Sequence, residues 1–217
     1  MVREVVAEVW RLFRARFWRV LVTVAILLAP LELGVALLDP DFSSLAHGGW
    51  WVWVAASASV TVLAYPWVMG ALVHDVAMGD RTPVHAYRRT GSKLPDLMAS
   101  ALVTTIGILA GTIALIIPGL FLLARWALVV PLIVLDGDSW RAALSRSNDL
   151  VRGRTWSVAG IFVLLTVIGF ALAVVPAGIG YALGNVLGAW LAALAIDTVL
   201  VAFYAFAPFV LHRRFTD

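Results

Sequence analysis

Residues 97–135 read LMASALVTTIGILAGTIALIIPGLFLLARWALVVPLIVL, and Arg125 is the single charge among them. A helix needs about 20 apolar residues to cross a hydrocarbon core about 30 Å thick. The stretch is long enough to cross twice, from Leu97 to Ile117 and from Leu120 to Leu135, with Pro118-Gly119 as turn chemistry between the two runs. It lacks the strict alternation and the ~10-residue segments of an outer-membrane barrel. The spacing predicts a tight transmembrane helical hairpin.

The rest of the chain follows the same rule. Of its 217 residues 62% are hydrophobic and 13% charged, against about half and a quarter in soluble domains. That balance excludes disorder and a nucleic-acid-binding domain, and the lack of cysteine excludes a disulfide scaffold. Further spans run from about Phe17 to Leu38, interrupted by Glu32, and from Trp50 to Val73. Another runs from Trp156 to Val175, breaking at Pro176-Ala177-Gly178, and a last one from about Leu187 to Leu211. The reading is an all-α polytopic protein with six transmembrane helices. It forms one integral membrane domain over 1–217, built from units 1–75, 76–136 and 137–217. The first run follows a basic N-terminus but no small-x-small cleavage site, so it reads as an uncleaved span.

Charge sets the orientation. Of the 16 basic residues, Lys93 is the only lysine. Arg3, Arg11, Arg14, Arg16 and Arg19 precede the first span; Arg81, Arg88, Arg89 and Lys93 follow the second; Arg141, Arg146, Arg152 and Arg154 follow the fourth; Arg213 and Arg214 follow the sixth. The connections on the other side, Asp39 to Gly49, Pro118-Gly119 and the stretch after Pro176, hold neither lysine nor arginine. Basic loops stay inside, which puts both termini in the cytoplasm; a prokaryotic cytoplasmic (inner) membrane is the expected location. Trp18, Trp140 and Trp156 then mark the inner boundary, and Trp50, Trp51 and Trp190 the outer one.

Each basic segment carries helical periodicity. Val5, Val6, Val9, Trp10, Phe13 and Phe17 share a face opposite Arg3, Glu4, Glu8, Arg11 and Arg14. With Asp138 as N-cap, Trp140, Ala143, Leu144, Ser147 and Val151 form a stripe opposite Arg141, Ser145, Asn148, Asp149 and Arg152. Thr82 before Pro83 starts a shorter middle helix, which Gly91 and Pro95 limit to about two turns. Interfacial amphipathic helices are expected before all three hairpins. Ala86 precedes Pro118 by 32 residues and Ala143 precedes Pro176 by 33, a spacing that points to a threefold internal repeat. Unit one departs from it, since Pro30 lies inside its span, where a kink is expected.

Residues 117–156, IPGLFLLARWALVVPLIVLDGDSWRAALSRSNDLVRGRTW, carry the pattern Pro118-Gly119, Arg125, Pro131, Asp136, Ala143, Arg146-Ser147, Leu150 and Gly153. This resembles the membrane domain of some glycerophosphodiester phosphodiesterases and of stand-alone bacterial and archaeal membrane proteins. The amphipathic start, VAEVWRLFRARFWRVL, extends the likeness over nearly the whole chain. The resemblance implies no catalytic residue. Fused members continue into a phosphodiesterase barrel with a His-Arg-Gly-like element, whereas the last residues here are His212 to Asp217, so a stand-alone membrane domain is expected.

No enzyme pattern appears. His47, His74, His85 and His212 are scattered, and there is no phosphate-binding glycine loop, nucleophile elbow or thiolate site. The chain is expected to be non-enzymatic and to need no cofactor or metal. Glu32, Arg125 and Asp197 fall inside spans, where a charge costs about 2.5–3.5 kcal/mol and needs a partner. Depth counting brings all three to the outer half, with Arg125 expected to pair with Asp197, Glu32 or both. Gly180, Gly184 and Gly188 form a small-residue ridge, for packing within the bundle or for a homodimer. Arg11, Arg14, Arg141, Arg146, Arg152 and Arg154 offer a face to anionic phospholipid headgroups or to a protein partner. Two functions remain: a scaffold or lipid-interacting accessory protein working with a partner, and a small transporter or permease subunit built around Arg125.

Overall fold

A computed structural model of the chain describes residues 1–37, 48–79, 82–183 and 186–216. Among them every regular element is helical, and six helical stretches are long and apolar enough to cross a membrane. The protein is thus an all-α polytopic membrane protein. Most of the Asp39 to Gly49 connection, Arg81 and Gly184 lie outside the described residues.

Helix α1 (Val2–Ala36) joins the amphipathic start to the first span. Its only non-helical residue is Arg16 (φ −118, ψ 15), where the chain turns from one part into the other. The second span consists of α2 (Gly48–Ser59), a π-helical segment (Val60–Ala64) and α3 (Tyr65–Met78), closed by Gly79 in the left-handed region. Helix α4 (Pro83–Gly91) starts at Thr82, whose hydroxyl accepts from the His85 N–H at 3.3 Å. Tyr87 on α4 then donates to the Thr23 carbonyl of α1 at 2.7 Å, which holds this short helix against the bundle.

The hairpin of residues 97–135 is present but more irregular than its sequence suggests. Helix α5 (Leu94–Ala114) leads through extended Leu115 into α6 (Ile116–Arg125). After a break come α7 (Val129–Pro131) and a second π-helical segment (Leu132–Asp136), which ends on left-handed Gly137. Helix α8 (Trp140–Leu150), α9 (Thr155–Leu183) and α10 (Val186–Thr216) complete the chain.

Helix α10 is the central post, packed along α9, α1 and α3. Its Phe203 and Phe206 are fully buried together with Leu28 of α1 and Leu72 of α3. Phe13 stacks edge-on against Phe203 with centroids 5.4 Å apart. Arg214 near the end of α10 pairs with Glu4 at 2.9 Å and Glu8 at 3.2 Å, so both termini share one face. That terminal face carries the arginines. Helix α5 stands at the edge, with only Leu97 and Ser100 buried.

Four sequence expectations need correction. The first turn of the hairpin is at Leu115, not at Pro118-Gly119, because proline fits the first turn of a helix where no intrahelical N–H partner is lost. Gly119 has another use: a Cβ there would collide with the Thr112 side chain and stand 2.9 Å from the Thr112 backbone nitrogen, so α5 and α6 touch through it. The fifth span does not stop at Pro176 but runs to Leu183, since packed membrane helices tolerate an internal proline. Pro30 likewise keeps helical angles, and the irregular residue of α1 is Arg16 instead. Gly180 lies on α9 and Gly188 on α10, and Gly184 of the expected ridge lies outside the described residues. The N-cap of α8 is Ser139 rather than Asp138, and Asp96 from α5 accepts the Trp140 N–H at 3.1 Å.

Candidate functional site

The fourth span breaks over residues 126–128. Pro131 has no N–H to offer the Ala127 carbonyl, so regular hydrogen bonding cannot continue through this turn. Helix α8 repairs the gap. Ser147 on its buried face accepts from the Leu128 N–H at 3.1 Å and donates to the Arg125 carbonyl at 2.7 Å. One serine thereby satisfies a donor and an acceptor freed on the two sides of the break. Neighbouring Asn148 accepts from Arg125 Nη1, and the Arg125 guanidinium also lies 4.7 Å from the Phe121 ring centre. Arg125 therefore meets neither Asp197 nor Glu32. Counting depth along an isolated helix missed that α8 folds inward to reach it.

The same helix is also clamped at Arg146, the residue before Ser147. Arg146 pairs with Asp136 at 2.7 Å and Asp138 at 3.1 Å, and His212 of α10 stands 3.3 Å from Asp136. Ala143 is fully buried beside this clamp. Leu150 ends α8, and Gly153 holds a φ of 81 just after it. The motif residues thus have positions with evident work: Gly119 the close approach, Pro131 the break, Ser147 its repair, Asp136 and Arg146 the clamp.

Behind the break lies a groove of about 260 Å³ between the α5–α6 hairpin and the bundle. Leu123, Trp126 and Val130 wall one side, Met69 and Phe162 another, and the hydroxyls of Tyr65, Ser100, Thr104, Thr105 and Tyr204 are set among them. Thr105 is exposed at the rim, so the groove opens sideways. Gly107 contributes to its shape, because a Cβ at this position would stand 2.5 Å from the Trp126 ring.

The intramembrane acids meet at Tyr65, where the π-helical segment passes into α3. Its hydroxyl donates to Asp197 at 2.6 Å. Glu32 lies beside Asp197, and its two buried carboxyl oxygens have no hydrogen-bond partner among the described residues. Two of the three expected residues are therefore together, joined by a tyrosine that the sequence reading did not select. Tyr65-Pro66 within an apolar run was the available signal.

The terminal face divides the six candidate arginines. Arg11, Arg14 and Arg152 are exposed; Arg141 stacks on Trp140 at 4.9 Å and Arg154 on Phe215 at 5.0 Å. Arg146 is occupied by the clamp. Arg16 and Arg19, outside the expected set, both bind buried Asp75 of α3, at 3.1 Å and 2.7 Å. Arg214 holds the Glu4 carboxyl below the ordinary glutamate value, on the amphipathic part of α1 that precedes the bend at Arg16. Trp190 is not a boundary anchor alone, since its indole donates to the Ala29 carbonyl at 2.7 Å. Among the described residues no group of His, Asp and Glu is placed to hold a metal ion.

Fold and site define a polytopic helical membrane protein with a broken span beside a lateral groove. A family model described as the membrane domain of glycerophosphoryl diester phosphodiesterase matches residues 91–212. The match covers more than half of the chain, and the protein belongs to this family. No curated protein and no solved structure matches it.

Proposed function

We propose that the protein is a non-catalytic, lipid-interacting membrane protein that holds a membrane lipid in the groove beside the broken fourth span. The groove carries this reading: it is mainly apolar, dotted with hydroxyls and open sideways to the hydrocarbon. A lipid reaches such a site without crossing water. Membership of a family named for glycerophosphoryl diesters, the headgroup linkage of phospholipids, supports the same reading. Exposed Arg11, Arg14 and Arg152 then face the cytoplasm, where they contact anionic headgroups or a protein partner that the scaffold serves. Lipid analysis of protein purified in mild detergent tests the idea. Wild type retains lipid, whereas Ala101→Trp, which fills the groove, loses most of it; equal retention refutes the reading.

A second reading, a small transporter or permease subunit, rests on Tyr65, Asp197 and Glu32 adjoining the groove. Here Asp197→Asn abolishes proteoliposome flux while the fold persists. Absence of flux in wild type across a broad substrate panel sinks it.

A further inference from the structure

The hydroxyls of the groove share a property that fixes the kind of lipid it takes. A serine, threonine or tyrosine hydroxyl has one proton to give and lone pairs with which to accept. Ser100 gives its proton to the Leu97 carbonyl at 2.8 Å, and Thr104 to the Ser100 carbonyl at 2.8 Å. Tyr65 gives its own to Asp197 at 2.6 Å. Thr166 donates to the Phe162 carbonyl at 2.7 Å, so in its 2.6 Å bond with Tyr204 the tyrosine is the donor. Four of the five lining residues that carry hydroxyls have therefore given their proton away and keep only acceptor capacity for a ligand. Pro208, also in the lining, has no N–H to give the Tyr204 carbonyl. Among the described residues the uncommitted donors of the lining are rim Thr105 and the Trp126 indole.

Among the described residues no charged side chain lines the groove. A phosphate or carboxylate buried there would find no cation and few donors, a large desolvation cost; the acids that adjoin the groove, Asp197 and Glu32, are not part of its lining, and Asp197 already takes the Tyr65 proton. The complement of an uncharged, acceptor-rich, mostly apolar groove is an uncharged molecule that donates a hydrogen bond and carries acyl chains. We infer that the groove selects a neutral lipid alcohol of the diacylglycerol class, its free hydroxyl inside and its tails leaving past Thr105 into the bilayer. The volume of about 260 Å³ suits the glycerol end and the first carbons of the chains, just below the span of typical ligand sites. This inference rests on the lipid-binding reading above and narrows it.

Photocrosslinking in phosphatidylcholine nanodiscs tests it. Three probes with a diazirine in the acyl chain are compared at equal mole fraction: a diacylglycerol, the same molecule with its hydroxyl capped as a methyl ether, and a phosphatidylglycerol. Peptide mapping of the wild-type protein is expected to find diacylglycerol on α5 and residues 126–130 about tenfold above either of the others, the effect of roughly one to two hydrogen bonds. Thr104→Val, which keeps the shape and removes an acceptor, is expected to lower that preference about fivefold. If the methyl ether or the phosphatidylglycerol labels these segments as strongly as the free alcohol, the class assignment falls while the groove stands as a lipid site. If no probe labels them, the lipid reading falls as well. The methyl-ether comparison uses unaltered protein and does not depend on the variant folding.

Discussion

Ser147→Ala tests whether α8 truly repairs the fourth span. Ser147 is completely buried. Removing its hydroxyl strands the Leu128 N–H, 3.1 Å away, and the Arg125 carbonyl, 2.7 Å away. Each stranded group costs about 1–3 kcal/mol. The Arg125 carbonyl is less enclosed than the Leu128 N–H, so the joint loss is about 2–4 kcal/mol. For a chain of this size about 1 kcal/mol corresponds to about 2–4 °C in Tm, which gives a fall of about 4–16 °C. Thermal unfolding of purified protein in one detergent measures it. Ser145→Ala is the control, since Ser145 is exposed on the opposite side of the same helix and its loss is expected to stay within about 0.5 kcal/mol. Equal Tm values for the two variants would refute the repair.

Other expectations follow from single contacts. Gly119→Ala drives a methyl into Thr112, so folded yield falls sharply; Thr112→Ala in the same chain restores it only partly, because the Thr112 backbone nitrogen remains 2.9 Å away. As pH falls through and below about 4.5, protonation of Glu4 releases Arg214: its lowered folded-state value means that the contribution is present above the unfolded value and lost below it. Glu4→Gln removes this step from a pH series of hydrogen exchange at the α1 start, and an unchanged series contradicts the pairing. Because the chain has no cysteine, Ser139→Cys gives a single label site that an impermeant maleimide is expected to reach only in opened cells. Labelling of intact cells would reverse the proposed orientation.

Much of this fold is legible from hydropathy alone, because a bilayer makes each span satisfy its own backbone and leaves a long apolar run few alternatives. The six runs and the short loops between them follow. What sequence reading misplaces are the proline effects. Pro118 and Pro176 look like stops, yet one sits in the opening turn of α6 and the other inside α9. Pro131 looks harmless in an apolar run, yet the break lies one turn before it. The missing N–H costs nothing in an opening turn such as that of Pro118, whereas inside a helix the outcome depends on the surrounding packing, which carries Pro30 and Pro176 without a break. Polar partners are harder still. Tyr65 and Asp197, Arg125 and Asn148, and Ser147 and the break each join separate helices, and no spacing rule along one chain encodes which faces meet.

The motif shared with the family takes on a physical sense at the break. Just before Pro131 the fourth span leaves the Leu128 N–H and the Arg125 carbonyl without helical partners, which is costly in hydrocarbon. The cost is bearable only if another element delivers a donor and an acceptor to the same place. Ser147 does so, and it can reach the break only if α8 tilts inward, against the tendency of an arginine-bearing helix to remain in the headgroups. Asp136 opposes that tendency by neutralising Arg146, the residue before Ser147, Asn148 takes the Arg125 guanidinium, and Gly119 lets α6 lie close enough to α5 to set the height of the break. Trp126 and Val130, which flank the irregular turn, are at the same time walls of the groove. A regular helix here would present a continuous ridge of side chains, and its carbonyls would be satisfied internally. Breaking it and repairing it from α8 is what makes room for the groove, so Gly119, Pro131 and Ser147 shape the cavity at one remove.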